Sequence, residues 1–513
     1  MAQRIDRAAS FGQNLYVDTR GAAGEPVPFT QAVINGLAQG GGLYVPEELP
    51  TLSLDEICAL ARLPYAQRAA AIYKAFNVDL PDEAIDELMG RAYGDNFDDE
   101  AICPITSLDE STHILELWHG PTSAFKDMAL QCLPHFFSAS AEKLREEGTL
   151  DHEFMILVAT SGDTGKAALE GFKGVDGVSI GVLFPDGGVS DIQRKQMVTT
   201  TGDNVQVWAV RGNFDDCQTG VKRTFADEKF TEKLLNEYRI ALSSANSINW
   251  GRLLPQVVYY ISSYAELVAA GKIEAGCPID VCVPTGNFGN ILAAYYAREM
   301  GVPIDKLICA SNSNNVLTDF LATGTYDKNR PFHTTMSPSM DILVSSNLER
   351  LLFALSGQND QEVAGYMKQL GEKGCYTVSE EIKAKLQADF YGGFCDEAKT
   401  SAIIAQVWKE HHYLIDPHTA VAYGVMQDYR EATGDDRKTV FVSTASPFKF
   451  CDSVLHSLGV AQVREGLGAL DQLAEVSGRP APVPLASLRD KAVRFEESVD
   501  KEKMMDVVLD MLR

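Results

Sequence analysis

A lysine occupies an unexpected position in the stretch WHGPTSAFKDMALQCLPHFF, residues 118–137. If a helix begins near residue 124, Lys126 lies in register with Leu130, Leu133 and Phe137, at spacings i, i+4, i+7 and i+11. These positions form the buried face of the predicted helix. A buried lysine has its pKa lowered by desolvation or needs a negative partner. Lysines of this kind serve as amine nucleophiles and form Schiff bases.

The opposite face of this predicted helix is polar, because Asp127, Gln131 and Ser138 fall there. Two structural alternatives stay open. The lysine stem could follow the apolar surface and bring its charged end to solvent. Pro134 could also distort the helical register. The lysine therefore identifies a candidate site only together with other signals.

The loop ATSGDTGKAALEG, residues 159–171, follows an apolar run and opens a helix-like segment. It is not a nucleotide-binding P-loop, because that motif needs glycine at 160 and serine or threonine at 167, where the chain has Thr160 and Ala167. Several groups at this helix start can hold a carboxylate or a phosphate. They are Ser161, Thr164 and the amides of Gly162 and Gly165. An ordinary helix cap with a tight turn is the alternative.

A second loop, PTGNFGN at residues 284–290, also joins a strand to a helix. Gly286 and Gly289 permit backbone angles at which successive N–H groups point at one anion, although a plain connection has the same appearance. A buried lysine, a glycine-rich anion site and a late strand that ends in hydroxyls, FVSTASPFKF at 441–450, together suit one cofactor. That cofactor is pyridoxal phosphate.

The elements that must position these groups follow an α/β pattern. Apolar runs at 153–159, 178–184, 279–283 and 438–444 alternate with helix-like segments. Strands that are apolar on both faces are typical of parallel sheets covered by helices. The stretch FTEKLLNEYRIALSS, residues 230–244, is predicted to be helical and interrupts this alternation.

We predict three regions along the chain. Residues 1–98 contain short amphipathic helices joined by Gly/Pro turns and form a small N-terminal domain. Residues 99–460 form the catalytic α/β domain, which has two subdomains. Residues 461–513 form a proline-bearing linker and a C-terminal helix.

The composition of the 513-residue chain narrows the function classes. The hydrophobic fraction of 45% and the charged fraction of 23% are typical of a globular protein. A formal charge of −26 disfavours nucleic acids and anionic membranes as partners. No apolar run reaches the ~20 residues that span a bilayer and no export signal is evident, so we expect a cytoplasmic protein. The ten scattered cysteines predict free thiols, and we expect no metal site.

Six segments in collinear order resemble the motifs of threonine synthases. HGPTSAFKD is similar to their cofactor-lysine motif, and VPTGNFGN is similar to their phosphate loop. The other four segments are ATSGDTGKAA, NSINWGRLLPQVVYYISSY, DPHTAVAYG and STASPFKF. The resemblance extends from about residue 29 to about residue 455, which is most of the chain.

The resemblance implies an α/β fold of the fold-type II, tryptophan synthase β-like kind, with two parallel-sheet subdomains and a small N-terminal domain. It implies conversion of O-phospho-L-homoserine and water to L-threonine and phosphate, with pyridoxal 5′-phosphate as cofactor. Lys126 would form the Schiff base and Thr444 would hydrogen-bond the pyridine nitrogen. The cofactor phosphate would be held, mainly by backbone N–H groups, at Gly286, Asn287, Phe288, Gly289 and Asn290.

The substrate is assigned to the first loop, with Ser161, Asp163 and Thr164 as contacts. Lys166 or Arg252 would bind its phosphate, although either could be an ordinary structural cation. The motif STASPFKF departs from the family pattern, because Ser446 and Phe448 stand where threonine synthases have histidine and alanine. The roles of Asp163, His119, His418 and Ser446 stay open.

Two other functions stay open as well. The chain could be another fold-type II lyase, such as a serine or threonine deaminase, because cofactor loops do not determine specificity. It could also be a non-catalytic, threonine-synthase-like binding protein, although it keeps Lys126, the glycine-rich loop and Thr444. The sequence does not determine the oligomeric state.

Overall fold

The computed structural model describes residues 13–512, without the side chain of residue 215. Its strands are β1 (Leu15–Asp18), β2 (Val27–Pro28), β3 (Tyr44–Pro46), β4 (Ile105–Ser107), β5 (Thr112–Glu116), β6 (Glu153–Ala159), β7 (Val178–Pro185), β8 (Val205–Arg211), β9 (Ile240–Ser243), β10 (Ile279–Pro284), β11 (Ile304–Ser311), β12 (Thr325–Asp327), β13 (Cys375–Thr377), β14 (Phe390–Phe394), β15 (Thr439–Ser443) and β16 (Ser498–Asp500).

The helices are α1 (Phe29–Asn35), α2 (Leu54–Leu60), α3 (Tyr65–Ala75), α4 (Asp82–Ala92), α5 (Lys126–Leu130), α6 (Leu133–Glu146), α7 (Asp163–Phe172), α8 (Asp191–Val198), α9 (Phe214–Ala226), α10 (Glu228–Tyr238), α11 (Trp250–Ala269), α12 (Gly289–Glu299), α13 (Val316–Thr323), α14 (Leu348–Leu355), α15 (Asp360–Lys373), α16 (Glu380–Asp389), α17 (Glu397–His411), α18 (Pro417–Thr433), α19 (Cys451–Ser457), α20 (Leu467–Ser477), α21 (Val483–Ala486) and α22 (Met504–Asp510). Short 3₁₀ helices lie at Gln39–Gly41, Pro338–Met340, Pro447–Phe450, Ser487–Arg489 and Lys501–Lys503.

The larger sheet has six strands in the order β14-β11-β10-β15-β5-β4. Its neighbouring strands are parallel, except that β4 runs antiparallel to β5. The predicted strands at 279–283 and 438–444 are confirmed as the central neighbours β10 and β15. Every residue of these two strands is buried, because helices cover both faces of the sheet.

The smaller sheet is fully parallel, in the order β16-β8-β7-β6-β9. Strands β6 and β7 confirm the predicted runs at 153–159 and 178–184. Two parallel sheets with covering helices confirm the predicted α/β fold class. Within residues 13–512, no helix combines the length and apolar character needed to cross a bilayer.

Two segments differ from their predicted structure. Arg239 adopts a left-handed conformation with φ 58° and ends α10, so Ile240–Ser243 forms strand β9 instead of continuing a helix. This short strand gains its hydrogen bonds from β6, a long-range pairing that local periodicity does not reveal. Near the C-terminus, Ser498–Asp500 adds the edge strand β16 beside β8. The segment after residue 460 therefore holds more than a linker and a helix.

The helix predicted around Lys126 is two helices, because α5 ends at Leu130 and α6 begins at Leu133. Pro134 lies in the first turn of α6, where its missing N–H is tolerated and its ring prevents continuation from α5. The break leaves the Leu130 carbonyl so close to α7 that a Cβ at Gly171 would lie 1.9 Å from it. Glycine is therefore required at that contact.

The predicted buried face is confirmed, because Lys126, Leu130, Leu133 and Phe137 are all buried. The predicted polar face is wrong at Asp127, which is fully buried. Its carboxylate accepts hydrogen bonds from the N–H and the hydroxyl of Thr122, at 2.8 and 2.6 Å. Asp127 thus braces the loop that leads to Lys126.

The N-terminal region packs directly on the α/β core. Its small antiparallel sheet, β2-β1-β3, places Tyr16 with its ring 5.7 Å from that of Trp250 at the start of α11. Phe29 contacts Tyr16 at 5.9 Å between ring centroids. All three side chains are fully buried, so this region shares its hydrophobic core with the rest of the chain.

Arg350 connects three distant segments at this junction. Its guanidinium donates to the Tyr44 carbonyl at 3.0 Å, to the Ile248 carbonyl at 2.6 Å and to the side chain of Asn347. Asn347 in turn donates to the Asn287 carbonyl in the glycine-rich loop. Arg350 is fully buried, so each of these acceptors depends on it.

We expect Arg350→Met to lower the free energy of unfolding by about 3 kcal/mol, because it leaves buried carbonyls without donors. Urea titration followed by circular dichroism measures this change. Arg464→Met is the control, because Arg464 forms an exposed pair with Glu475 and should leave the free energy of unfolding unchanged. Equal effects of the two substitutions would refute the bridging role of Arg350.

Candidate active site

Lys126 lies at the first position of α5, beside the end of strand β15. The N–H of Phe125 donates to the Thr444 carbonyl at 2.8 Å, and Ala124 pairs with Ala445 in an isolated antiparallel bridge. These contacts bring the predicted pair Lys126 and Thr444 together. Thr444 is buried at this contact.

The amine of Lys126 faces polar groups from both halves of the fold. Its Nζ donates to the Ser339 hydroxyl at 3.3 Å and lies 3.9 Å from Asp163 Oδ2 at the start of α7. Burial lowers the pKa of Lys126 to about 8, and the carboxylate of Asp163 opposes that change. The amine is therefore close to the point at which it can both accept and return a proton near neutral pH.

Asp163 is almost completely buried and lies between two lysines. Its Oδ1 accepts from Lys449 Nζ at 2.7 Å and from Gln193 Nε2 at 3.0 Å. Burial alone would raise the pKa of Asp163, but Lys449 and Lys126 outweigh it and hold that pKa well below its ordinary value. Asp163 is therefore an ionised carboxylate next to Lys126.

Sequence reasoning did not identify Lys449 and Ser339 as site residues. Lys449 stands between two phenylalanines in STASPFKF, so the argument from burial that identified Lys126 would have found it. Ser339 offers no such signal, because it belongs to a connecting segment 213 positions from Lys126. Only the folded chain places it at the amine.

His418 supports the Ser339 segment. Its Nε2 accepts from the Ser339 N–H at 3.2 Å, and its Nδ1 lies 2.6 Å from the Asp416 carboxylate. Because Nε2 is an acceptor, the ring proton is on Nδ1 and Asp416 holds it there. Ser446 has structural contacts within the chain. Its hydroxyl accepts from the Phe448 N–H, and its own N–H donates to the Ser123 carbonyl.

The glycine-rich loop joins β10 to α12 and passes under the Ser339 segment. A Cβ at Gly286 would lie 2.7 Å from the Ser339 carbonyl, so only glycine fits there. Phe288 has a φ of 63°, an unusual conformation for a residue with a side chain. This conformation turns the first N–H groups of α12 in one direction, as an anion requires.

Hydrogen bonds from neighbouring segments fix the remaining groups of this loop. The Asn287 carbonyl accepts from the N–H and the side chain of Asn347, at 3.0 and 3.1 Å. Asn290 Oδ1 accepts from the hydroxyls of Tyr259 and Tyr260, at 2.6 and 2.5 Å. Asn290 Nδ2 is buried without a partner in the described part of the molecule. Hydrogen bonds from neighbouring segments thus fix the predicted residues 286–290, and anion binding there stays a prediction.

The first loop differs in part from its predicted role. The N–H groups of Gly162 and Gly165 donate to the Thr160 hydroxyl at 3.0 and 2.9 Å, so they do not hold a ligand as predicted. These bonds form a tight turn closed on the Thr160 side chain, which agrees with the structural alternative for this loop. Ser161 and Thr164 are partly exposed and keep their hydroxyls available.

The two predicted phosphate partners differ in their surroundings. Lys166 donates to Glu170 at 2.7 Å and to Thr200 at 3.1 Å, so its charge is already compensated. Arg252 is buried and donates to the Ala245 carbonyl at 2.7 Å, but its Nε has no partner and no carboxylate pairs with it among residues 13–512. Burial lowers the pKa of Arg252 to about 10.

Arg252 is also one of the charges that act on Lys126, together with Lys449, Asp163 and Asp127. Burial raises the pKa of Asp127 to about 6, against the hydrogen bonds from Thr122. An unpaired guanidinium in this position is costly unless an anion accompanies it. Arg252 therefore marks a place for a negatively charged group near the amine.

The chain was compared with known proteins. A family described as "Threonine synthase N terminus" matches residues 15–93. Threonine synthase from Pseudomonas aeruginosa is 39% identical over 448 residues, covering 87% of this chain and 91% of that protein. The human protein "Threonine synthase-like 1" is 43% identical over 446 residues, which are 85% of this chain and 59% of that protein. A crystal structure of PLP-bound threonine synthase from Brucella melitensis matches with a TM-score of 0.85 and 37% identity, covering 98% and 100% of the two chains.

Two parallel sheets, a buried lysine at their junction and a glycine-rich helix start define the fold-type II class of α/β proteins. The matches at 37% and 39% identity extend over most of this chain and of its relatives. The chain belongs to the threonine synthase family, as its motifs indicated. It spans about three-fifths of the length of Threonine synthase-like 1.

His119, in the family motif that precedes Lys126, forms a separate structural contact. Its Nδ1 lies 2.6 Å from Asp98 and its Nε2 lies 2.8 Å from Glu116, so both nitrogens donate. Burial would lower the pKa of His119, but the two carboxylates outweigh it and raise that pKa to about 9. The charged ring joins the end of the N-terminal region to β5.

We expect His119 to make stability depend on pH. Because its folded pKa of about 9 lies above the ordinary 6.5, its contribution is complete below pH 6.5 and is lost as pH rises through 9. Unfolding free energies of wild type and His119→Gln should differ by roughly 3 kcal/mol more at pH 6 than at pH 10. His456→Gln is the control, because its ring contacts a backbone carbonyl. A pH-independent difference would contradict the charged bridge.

Proposed function

We propose that this chain is a threonine synthase, which converts O-phospho-L-homoserine and water to L-threonine and phosphate. The proposed cofactor is pyridoxal 5′-phosphate, bound through Lys126. The single observation that carries the proposal is Arg252, a buried cation that acts on Lys126 without a carboxylate partner among the described residues. A phosphorylated substrate supplies the missing anion.

The residues present fit the proposed cofactor. Lys126 supplies a buried amine, and the N–H groups at the start of α12 supply a braced anion site for the cofactor phosphate. The hydroxyl of the buried Thr444 is suited to the pyridine nitrogen. When bound, pyridoxal phosphate supplies an electron sink for charge that develops at Cα.

Lys126 is the proposed proton carrier. With a pKa of about 8, its amine can take the proton from Cα and later return it there. Between these two transfers Cβ loses a proton, phosphate leaves Cγ, Cγ gains a proton, and water adds at Cβ with its oxygen while its remaining proton is released. The ionised carboxylate of Asp163, 3.9 Å away, stabilises the protonated form of this amine without a direct hydrogen bond to it.

The proposed substrate contacts divide between two elements. Ser161 and Thr164 offer their hydroxyls to the substrate carboxylate at the start of α7. Arg252 binds the substrate phosphate from the first turn of α11. We assign no phosphate contact to Lys166, because Glu170 already pairs with it.

The test is to incubate the purified chain and pyridoxal phosphate with O-phospho-L-homoserine, and in parallel with L-serine and L-threonine. We expect threonine and phosphate in equal amounts from the first substrate only. Lys126→Ala should remove the visible absorption of the bound cofactor and lower the rate at least ~10³-fold. Turnover of serine or threonine alone would favour a deaminase, and absorption without turnover would favour a binding protein.

Arg252 can be tested separately from the chemistry. Arg252→Met should lower kcat/KM for O-phospho-L-homoserine ~10- to 100-fold, because charge-assisted hydrogen bonds to the phosphate are lost. Binding of L-homoserine, followed by the change in cofactor absorption, should stay the same because that ligand has no phosphate. Lys166→Met should leave both quantities near wild type. Equal losses with both ligands in Arg252→Met would contradict the phosphate assignment.

A further inference from the structure

Lys449 is a second buried lysine at the site, and the proposed function gives it no task. It lies in the 3₁₀ helix Pro447–Phe450, which follows strand β15. Its side chain has no exposed surface. Because the amine is enclosed, Lys449 has no room to receive a substrate, and its contacts within the chain must account for its charge.

Lys449 connects its own 3₁₀ helix to two other elements. Its Nζ donates to Asp163 Oδ1 at 2.7 Å, on α7, and to the Thr122 carbonyl at 2.9 Å, in the loop before α5. Gln193, from α8, donates to the same Asp163 oxygen at 3.0 Å. One oxygen of the Asp163 carboxylate is thus held by two donors.

The other oxygen of Asp163 is the one that faces the active lysine. Oδ2 lies 3.9 Å from Lys126 Nζ, beyond hydrogen-bond distance but close enough for strong attraction in a buried site. The carboxylate is therefore oriented: Lys449 and Gln193 fix one end, and the other end points to Lys126. Without Lys449, only Gln193 would hold that end of the carboxylate, which could then turn and pair with Lys126 directly.

We propose that Lys449 is a positioning residue, which holds the Asp163 carboxylate away from a direct ion pair with Lys126 and so keeps the Lys126 amine available for proton transfer. This inference rests on the proposed function, because it concerns the lysine that would carry the cofactor. A direct Lys126–Asp163 pair would trap the amine in its charged form.

The charges around Lys126 give the direction of the effect. The groups that act on it are Asp163 from α7, Lys449 from the 3₁₀ helix, Arg252 from α11 and its neighbour Asp127. The cation of Lys449 disfavours positive charge on Lys126, and the carboxylate of Asp163 favours it. Removing Lys449 deletes the repulsion between the two lysines and strengthens the attraction between Asp163 and Lys126. Both changes favour the protonated nitrogen of Lys126.

The experiment uses the full chain loaded with pyridoxal phosphate and no substrate. The visible absorption of the bound cofactor depends on protonation of the nitrogen that Lys126 contributes, so a pH titration gives a midpoint. In Lys449→Met we expect this midpoint to rise by about one pH unit, the effect of one nearby charge. Lys449→Arg keeps the charge and should return the midpoint to the wild-type value.

Two further variants keep the test decisive. Lys449→Gln retains a donor for Asp163 and Thr122 without the charge, so it replaces Lys449→Met if that variant fails to fold, and it should also raise the midpoint. Lys143→Met is the control, because Lys143 also forms a lysine–aspartate pair, with Asp79 at 3.1 Å, but lies partly exposed on α6. It should leave the midpoint unchanged.

The outcomes separate this inference from the proposed function. If the wild-type chain shows no cofactor absorption, the proposed function itself fails. If the absorption is present but the neutral variants of Lys449 leave its midpoint unchanged or lower it, only the positioning role is overturned. Reduced stability with an unmoved midpoint would show that Lys449 merely supports the fold.

Discussion

The burial of one ammonium group constrains most of this architecture. An unpaired ammonium inside a protein costs several kcal/mol, so the amine of Lys126 requires partners that also lie inside. Asp163 comes from the helix after the first strand of the smaller sheet, and Ser339 comes from a segment that covers the larger sheet. The two sheets must therefore meet at Lys126, and residues at this junction line the proposed site.

The same junction explains why the N-terminal region packs so closely on the core. Arg350 receives its acceptors from Tyr44 in β3, from Ile248 before α11 and from Asn347 beside the glycine-rich loop. A single guanidinium thus relates the position of the N-terminal sheet to that of the proposed phosphate loop. Residues 13–98 thus contribute to the geometry of the site through the contact of Tyr44 with Arg350.

The parts of the fold that the sequence predicts are those governed by local pattern. The strands β6, β7, β10 and β15 are apolar on both faces, so periodicity alone located them. The glycine pattern after a predicted strand located the loop at 284–290. The motif resemblance then assigned Thr444 to the same site as Lys126. The failures involve contacts that periodicity does not show. Strand β9 depends on its long-range pairing with β6, and Asp127 is buried where the nearby Thr122 folds back onto it. Ser339 reaches the site through tertiary structure alone.

Two buried cations near the amine show how similar residues can take different tasks. Lys449 pairs with the carboxylate of Asp163 and donates to the Thr122 carbonyl, so its charge is balanced within the chain. Arg252 has a backbone acceptor but no carboxylate among residues 13–512, and under the proposed function the substrate phosphate supplies the missing anion. The overall charge of −26 repels anions at long range, and this unpaired guanidinium provides local compensation. Selection of a phosphorylated substrate would then follow from desolvated charge at one position, because a neutral analogue would leave Arg252 buried and unpaired.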